Sequence, residues 1–236
     1  MHSHPTSGCT RTLELLELLA FGELTAPQAA VALGIHPRTA RRQLRLLVSA
    51  GWAADRPGIV RTYGPGMRPL AASWQLLVNH PLTRLAAPVL ARLARDGHTA
   101  ELAVPSYDAV LALSRTPAGG WQARALPPHA SAAGKLLLAG SDAWRRSRLS
   151  GPLERFTAAT LTDPSALEDE LEAVRVRGYA LERGEHREDW HALAVPLASP
   201  AGPRQVAAIS VGGRDPAAIA GARLQAIVRH ASEAVS

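Results

Sequence analysis

The sequence predicts an α+β protein in two parts: a helical N-terminal unit closed by a small β-hairpin, and a larger C-terminal domain of antiparallel strands with helices at the side. Three observations carry this. Between Thr25 and Gly51, apolar and basic residues recur at helical spacing on both sides of a Gly-Ile-His-Pro turn. Beyond Thr99, short apolar runs alternate with turn residues, so hairpins join the strands. Charge is also uneven: residues 1–68 hold eight arginines against four acids, leaving +4 of the total +6 in under a third of the 236 residues. With 47% apolar and 19% charged residues, the chain can bury real cores.

Residues 1–9 read as disordered. Arg11 to Phe21, rich in leucine, reads as the first helix. Thr25 with Gln28 three residues on is a capping-box pattern, and Pro27 lies in the first turn, so a second helix starts there and stops near Leu33. Gly34 frees the turn, Ile35 is an apolar peg, and Pro37 opens a third helix running to about Ala50. On it Ala40, Leu44, Leu47 and Val48 form one stripe and Arg38, Arg41, Arg42 and Arg45 another, well over a right angle away. Ile59 to Tyr63 pairs with Trp52-Ala53-Ala54 around the turn Asp55-Arg56-Pro57-Gly58, completing a winged helix-turn-helix over residues 10–66.

Such a helix can sit on a core and offer guanidiniums to a DNA major groove. Arg38, Arg42 and Gln43 are the candidates for base edges. Arg45, Arg56 and Arg61 are candidates for phosphates, and Thr25, Thr39 and Arg41 complete the expected DNA-binding set. A charge run is otherwise a solvated helix face; here the surrounding helices and hairpin favour the nucleic-acid reading.

Residues 67–81 read as a linker helix, interrupted by Pro81, and a further helix runs from Leu82 to Arg95. Trp74, Leu77 and Val78 on the linker suit a core or a dimer contact equally. Glu101–Val104 and Ala109–Ser114 form a hairpin, His129–Ala139 a short helix, and Asp163-Pro164 caps a helix ending at Gly178. Tyr179–Glu182, Ala192–Leu197 and Gln205–Val211 are strands, and a last helix runs from Pro216 to about Ala234.

In the second domain, LPPHASAAGKLLLA (126–139), the Phe-Thr…Thr-Asp-Pro…Arg-Gly-Tyr run from Phe156 to Tyr179, HALAVPL (191–197) and AAISVGG (207–213) resemble the effector-binding domain of the IclR family of bacterial transcription regulators. The resemblance covers about residues 10–234. It implies a homodimer or homotetramer that binds a palindromic operator on double-stranded DNA, with a small-molecule effector in a GAF-like domain over residues 82–236. The family's pocket floor falls on Ala133 and Gly134 and its acidic position on Glu182. The frequent Arg-Cys pair is here His191-Ala192, and the Ser-x-Ser is Ser210-Val211-Gly212. Two polar contacts are thereby lost, which puts carboxylate recognition of the usual kind in question. Near the recognition turn, Arg41 and Gln43 replace positions that are commonly aromatic or apolar, while Thr39 and Arg42 match.

The effector-binding set expected is therefore Ala133, Gly134, Glu182, Trp190, Ala192, Leu193, Ser210 and Gly212. Gly134 at a helix entry either exposes backbone N–H groups to an anionic ligand or only permits close packing. Ser210 either donates to a ligand or satisfies nearby backbone. Trp190 is a lid or a satellite-core aromatic, and Lys135 is expected on the helix surface. His129 with Ser131, or His186 with Asp189 and His191, raises an enzymatic or metal alternative. No Gly-x-Ser-x-Gly, His-Glu-x-x-His or phosphate loop supports it, so neither catalysis nor a cofactor nor a metal is expected. The other alternative is a DNA-binding regulator whose second domain is only an oligomerisation scaffold. Cys9, the single cysteine, supplies no disulfide framework. With no leader pattern and no bilayer-length apolar run, the expectation is a cytoplasmic protein without a membrane partner.

Overall fold

The computed structural model describes residues 8–106, 109–115, 121–149, 151–197 and 207–219. They form two compact units that part between Asn79 and His80. The expectations for residues 1–7, for the turn residues 107–108, for the 199–203 connection and for the helix beyond Ile219 lie outside the described residues.

The first unit runs α1 (Gly8–Phe21), α2 (Ala26–Leu33), α3 (Pro37–Ser49), β1 (Ala53–Arg56), β2 (Thr62–Pro65) and α4 (Met67–Asn79). Capping sets α2: Thr25 Oγ1 accepts the Gln28 N–H at 3.3 Å, and Gln28 Oε1 accepts the Thr25 N–H at 2.8 Å. Gly34 ends it at φ 60°, a left-handed geometry that costs a side chain strain. His36 then caps α3, its Nδ1 accepting the Arg38 N–H at 3.2 Å. Leu15 and Leu19 of α1, Ala29 and Ala30 of α2, Ala40, Leu44 and Leu47 of α3 and Tyr63 of β2 form one core. Each fully buried leucine there contributes about 1.5–3 kcal/mol.

Two expectations change in this unit. The first helix begins at Gly8, so exposed Cys9 sits in its first turn rather than in an unstructured tail. The hairpin pairs Ala53 with Pro65 and Arg56 with Thr62, so residues 57–61 form a five-residue loop in place of a tight turn at 55–58. Ile59 and Val60 therefore belong to the wing tip and are exposed, not to a strand.

In the second unit α5 (Pro81–Arg95) precedes β3 (Thr99–Pro105), β4 (Val110–Arg115) and β5 (Trp121–Leu126). Helices α6 (Ala132–Gly140), α7 (Asp142–Arg148) and α8 (Pro164–Arg177) follow, then β6 (Ala180–Arg183), β7 (His191–Leu197), β8 (Ala207–Gly213) and a 3-10 turn, Pro216–Ile219. The sheet is antiparallel, in the order β5-β4-β3-β8-β7-β6. Its register places Ala103, Ala112, Ala194 and Ala208 on one face, where α6 packs among them through Ala133, Leu136 and Leu137. Leu102, Leu193, Val195 and Ile209 point to the other face by strand alternation. Small side chains on the first face let α6 approach, and a second layer of Leu138, Leu167 and Leu171 ties it to α8. Strand β5 and helix α7 were not foreseen. The period of β5 is masked by Arg124 on its inner face, and α7 is too short for a helical stripe to emerge.

Candidate functional site

Two sites emerge, one in each unit. On α3 the apolar stripe is fully spent on the core, with Ala40 and Leu44 at 0% exposure, while Arg38, Arg41, Arg42 and Arg45 are exposed. Between α3, the start of α2 and the wing lies a groove of about 420 Å³ lined by Arg41, Arg45, Arg61, Val60, Thr25 and Tyr63. Three guanidiniums on one groove, mounted on a packed helix and a paired hairpin, suit a phosphodiester backbone. Thr25 is committed to its cap, and Thr39 is half-buried.

Gln43 does not project as a base-reading residue should: it is buried, and its Oε1 has no hydrogen-bond partner. The spacing carried that signal, because Ala40, Gln43, Leu44 and Leu47 follow i, i+3, i+4, i+7. The wing arginines are paired within the unit. Arg56 Nε lies 2.8 Å from Glu23, which also accepts the Thr62 hydroxyl at 2.9 Å, and Arg61 Nε lies 3.5 Å from Asp55. Exposed pairs of this kind are worth about 0–1 kcal/mol, so phosphates can displace them.

In the second unit a cavity opens at the start of α6. Ser131 caps that helix, its Oγ donating to the Pro127 carbonyl at 2.7 Å and accepting the Gly134 N–H at 3.2 Å. Ser131, Ala132 and Ala133 form the floor, Glu182 of β6, Ala192 of β7 and Ser210 of β8 the wall, and Arg124, His186, Arg187 and Trp190 the mouth. The space open to the centre of a water-sized body is about 10 Å³, enough for one water.

Glu182 is the group under most stress. It is 4% exposed; its Oε2 takes the Ala132 N–H at 3.4 Å and its Oε1 has no partner. Burial, reinforced by the neighbouring Glu185 carboxylate, pushes its carboxyl up to about 7, against the opposing pull of backbone N–H groups and Lys135. Arg124 binds Glu101 through two nitrogens at 2.8 and 2.6 Å. Burial works against its charge, but Glu101 and Glu182 outweigh that and raise it. His186 is pushed down by burial and then by Arg124, Arg187 and His129, which disfavours its charged form. The guanidiniums of Arg124 and Arg187 each lie over the Trp190 ring, 5.9 and 5.5 Å from its centroid. Beyond Arg124, Arg187 and Trp190 an open groove of about 550 Å³ continues over Glu101, Ser114 and Gln122.

Of the expected effector residues, Ala133, Glu182, Trp190, Ala192 and Ser210 meet at this cavity. Three do not line it. A Cβ on Gly134 would overlap the Pro128 carbonyl, so this glycine is a close-packing residue rather than pocket floor. Leu193 lies on the opposite face of β7 from Ala192, as alternation requires. Gly212 acts at one remove, leaving room for Trp190, whose Cζ2 would lie 2.7 Å from an added Cβ. The unforeseen members are Arg124 and Leu126 on β5, Ser131 and Ala132 at the start of α6, and His186 and Arg187 in the loop after β6.

Lys135 also overturns its expectation. It is 1% exposed, with Nζ 2.6 and 2.7 Å from the two Glu185 oxygens and 3.4 Å from Glu170. Helix α6 is apolar all round, a pattern that means burial, so its one cation had to find acids inside. Thr157 and Thr160 hold the same loop by donating to the carbonyls of Gly184 and Glu185 at 2.7 and 2.6 Å.

The enzymatic alternative finds its groups engaged elsewhere. His129 Nε2 meets the Glu154 carbonyl at 2.8 Å, and Ser131 is committed to its cap. Among the described residues no three metal-binding side chains converge, and no helix is long and apolar enough to cross a membrane.

A basic winged helix-turn-helix and a separate domain with a cavity over an antiparallel sheet define a transcriptional regulator. Residues 74–236 match the family model for the bacterial transcriptional regulator IclR C-terminal domain. The chain is 34% identical over 213 residues to the HTH-type transcriptional regulator BhcR of Paracoccus denitrificans, covering 86% of this chain and 76% of that protein. Its structure is similar to that of an IclR transcriptional regulator from Silicibacter sp. TM1040, with TM-score 0.82 and 26% identity, covering 96% of this chain and 92% of that one. An IclR homolog from Microbacterium hydrocarbonoxydans, solved with 4-hydroxybenzoate, is similar at TM-score 0.69 and 27% identity, covering 95% and 94% of the two chains. The chain belongs to the IclR family of bacterial transcriptional regulators.

Proposed function

We propose that this regulator reads a palindromic operator with α3, with Arg38 and Arg42 toward the major groove and Arg41, Arg45, Arg56 and Arg61 toward phosphates. It acts as a repressor whose operator affinity is changed by a small effector in the cavity over β6, β7 and β8. The observation that carries this is the groove on which Arg41, Arg45 and Arg61 converge while the opposite stripe of α3 is spent on the core. Residues 10–66 are the DNA-binding domain, 67–81 the connecting helix and 82–236 the sensing and oligomerisation domain. The chain works as a homodimer or homotetramer without turnover of its effector. Met67, Leu70 and Trp74, at i, i+3 and i+7 on α4 and 54–74% exposed, support a contact with a second copy.

Selection of bound sites from random DNA at fixed salt, for the native chain and Arg42→Ala, tests the reading. A palindromic motif weakened by about 1–3 kcal/mol, with relaxed preference at one position, supports it. Binding without sequence preference refutes it. The small volume of the cavity favours a second reading, in which the C-terminal unit is a scaffold alone. Thermal shift against a metabolite library separates the two, since a ligand at a hundred times its dissociation constant adds about 2.7 kcal/mol.

A further inference from the structure

We propose that the apolar tip of the wing, Ile59 with Val60 beside it, enters the operator's minor groove as a wedge between stacked base pairs. Each half-site then carries a preference for a deformable base step that no hydrogen bond reads; this rests on the reading of α3 given above.

The wing is built to aim this tip. Its two strands pair from Ala53 with Pro65 to Arg56 with Thr62. The connection between α1 and α2 adds a third line of bonds: the Leu24 N–H donates to the Tyr63 carbonyl at 3.0 Å, and the Tyr63 N–H to the Leu24 carbonyl at 2.8 Å. Glu23 accepts the Thr62 hydroxyl beside it, and the Tyr63 ring belongs to the core of the unit. The base of loop 57–61 is thus fixed to the body that carries α3. Ile59, in the middle of that loop, is 108% exposed. Val60 is 64% exposed and lines the groove shared with Arg41, Arg45 and Arg61. An exposed turn ordinarily carries polar residues or glycine, and here two branched apolar side chains stand at its tip.

The shape of a duplex decides what that tip meets. A phosphate strand lying between the guanidiniums of α3 and that of the wing has the major groove on the side of α3. The minor groove therefore lies on the side of the wing, and at about 6 Å wide it admits a loop tip where a helix does not fit. Arg56 and Arg61 border the tip in sequence and bring positive charge to the flanking backbone. Apolar side chains in this position unstack a base step and kink the duplex, at least cost where the step is TA or CA/TG. A protein partner suits the tip less well. Two side chains cannot supply the roughly 800 Å² per partner that a stable interface buries, and the bordering arginines favour a polyanion.

The test uses the full-length protein and sites selected from random DNA with wide flanks, for the native chain, Ile59→Ser and Ile59→Leu. The native chain should select, besides a palindromic core, a pyrimidine-purine step at a fixed distance from the core in each half-site. Changing that step to GG/CC should weaken binding roughly tenfold, toward the low end for one mismatched base pair. Ile59→Ser should bind the core without the step preference. Its melting temperature and salt slope should match the native chain, because the side chain removed is exposed and meets no phosphate. Ile59→Leu, which keeps an apolar wedge, should retain the preference. With 2-aminopurine in place of the adenine of the step, fluorescence should rise on binding of the native chain and Ile59→Leu and stay at the free-duplex level with Ile59→Ser. A core motif without a flanking step, or a step preference unchanged in Ile59→Ser, overturns the wedge and leaves the α3 reading intact. A step preference with no rise in fluorescence overturns insertion. Binding by the native chain without any sequence preference overturns both readings.

Discussion

Replacing Lys135 by methionine should be among the most damaging single changes in the C-terminal unit, although the substitution adds apolar character to an apolar helix. Methionine fills a similar volume, so the packing of α6 against the alanine face survives. What is lost is the ammonium between Glu185, with oxygens at 2.6 and 2.7 Å, and Glu170 at 3.4 Å. Glu170 keeps Arg177 at 2.7 Å, so most of the loss falls on Glu185, which is 8% exposed. Removing one partner of a buried pair leaves an uncompensated charge and costs about 3–5 kcal/mol. For a domain of this size each kcal/mol moves the midpoint by about 2–4 °C, so the C-terminal transition should fall by roughly 10 °C. The double variant Lys135→Met with Glu185→Gln removes both charges and should recover to within about 1 kcal/mol of the native chain. Urea unfolding followed by far-UV circular dichroism measures all three proteins. A single variant that loses less than about 1 kcal/mol, or a double variant no better than the single, would refute the assignment of this pair as a buried, mutually dependent unit.

Other outcomes follow from the same geometry. Glu182 has its folded-state carboxyl raised to about 7 from an ordinary 4.5, so the folded state binds the extra proton. Stability should fall as pH rises between those values, by roughly 3 kcal/mol in total. Unfolding free energies from pH 5 to pH 8 should show this slope in the native chain and lack it in Glu182→Gln; equal slopes would contradict the burial argument. Gly134→Ala should cost at least about 3 kcal/mol, because the new methyl meets backbone carbonyl rather than a movable side chain, and a native-like melting temperature would count against it. Gly212→Ala should push Trp190 off its seat. Acrylamide quenching compared with a Trp190→Phe control reads this as increased accessibility of that ring. Arg41→Ala should lower the salt slope of operator binding by about one; an unchanged slope removes Arg41 from the phosphate contacts.

Much of this molecule is legible in its residues, and the losses have identifiable causes. Capping chemistry marked Thr25, Pro37, Asp163 and Gly178, because side chain to backbone bonds are local and need no tertiary context. Period-two alternation likewise separates Ala192 from Leu193, and applying it strictly excludes Leu193 from the cavity. The wing register was not legible, since Ile59 and Val60 are apolar enough to suggest a strand, and only pairing shows that they cap the loop. Arg124 was missed because its partner Glu101 lies two strands away, across β4. Lys135 hides for the opposite reason: charge favours the surface, and only the all-round apolar helix that carries it signals burial.

The buried position of Lys135 reaches into how the protein can be handled. It is the chain's single lysine, and the other basic side chains are arginines or histidines. In the folded state the only side-chain primary amine is therefore sealed behind two carboxylates in the C-terminal unit. Amine-directed reagents, whether acylating labels or the formaldehyde used to fix proteins on chromosomes, find in the native fold little beyond the α-amino terminus. A failed cross-link would say nothing about operator occupancy, whereas acylation at Lys135 would be a selective signal that the C-terminal domain had opened.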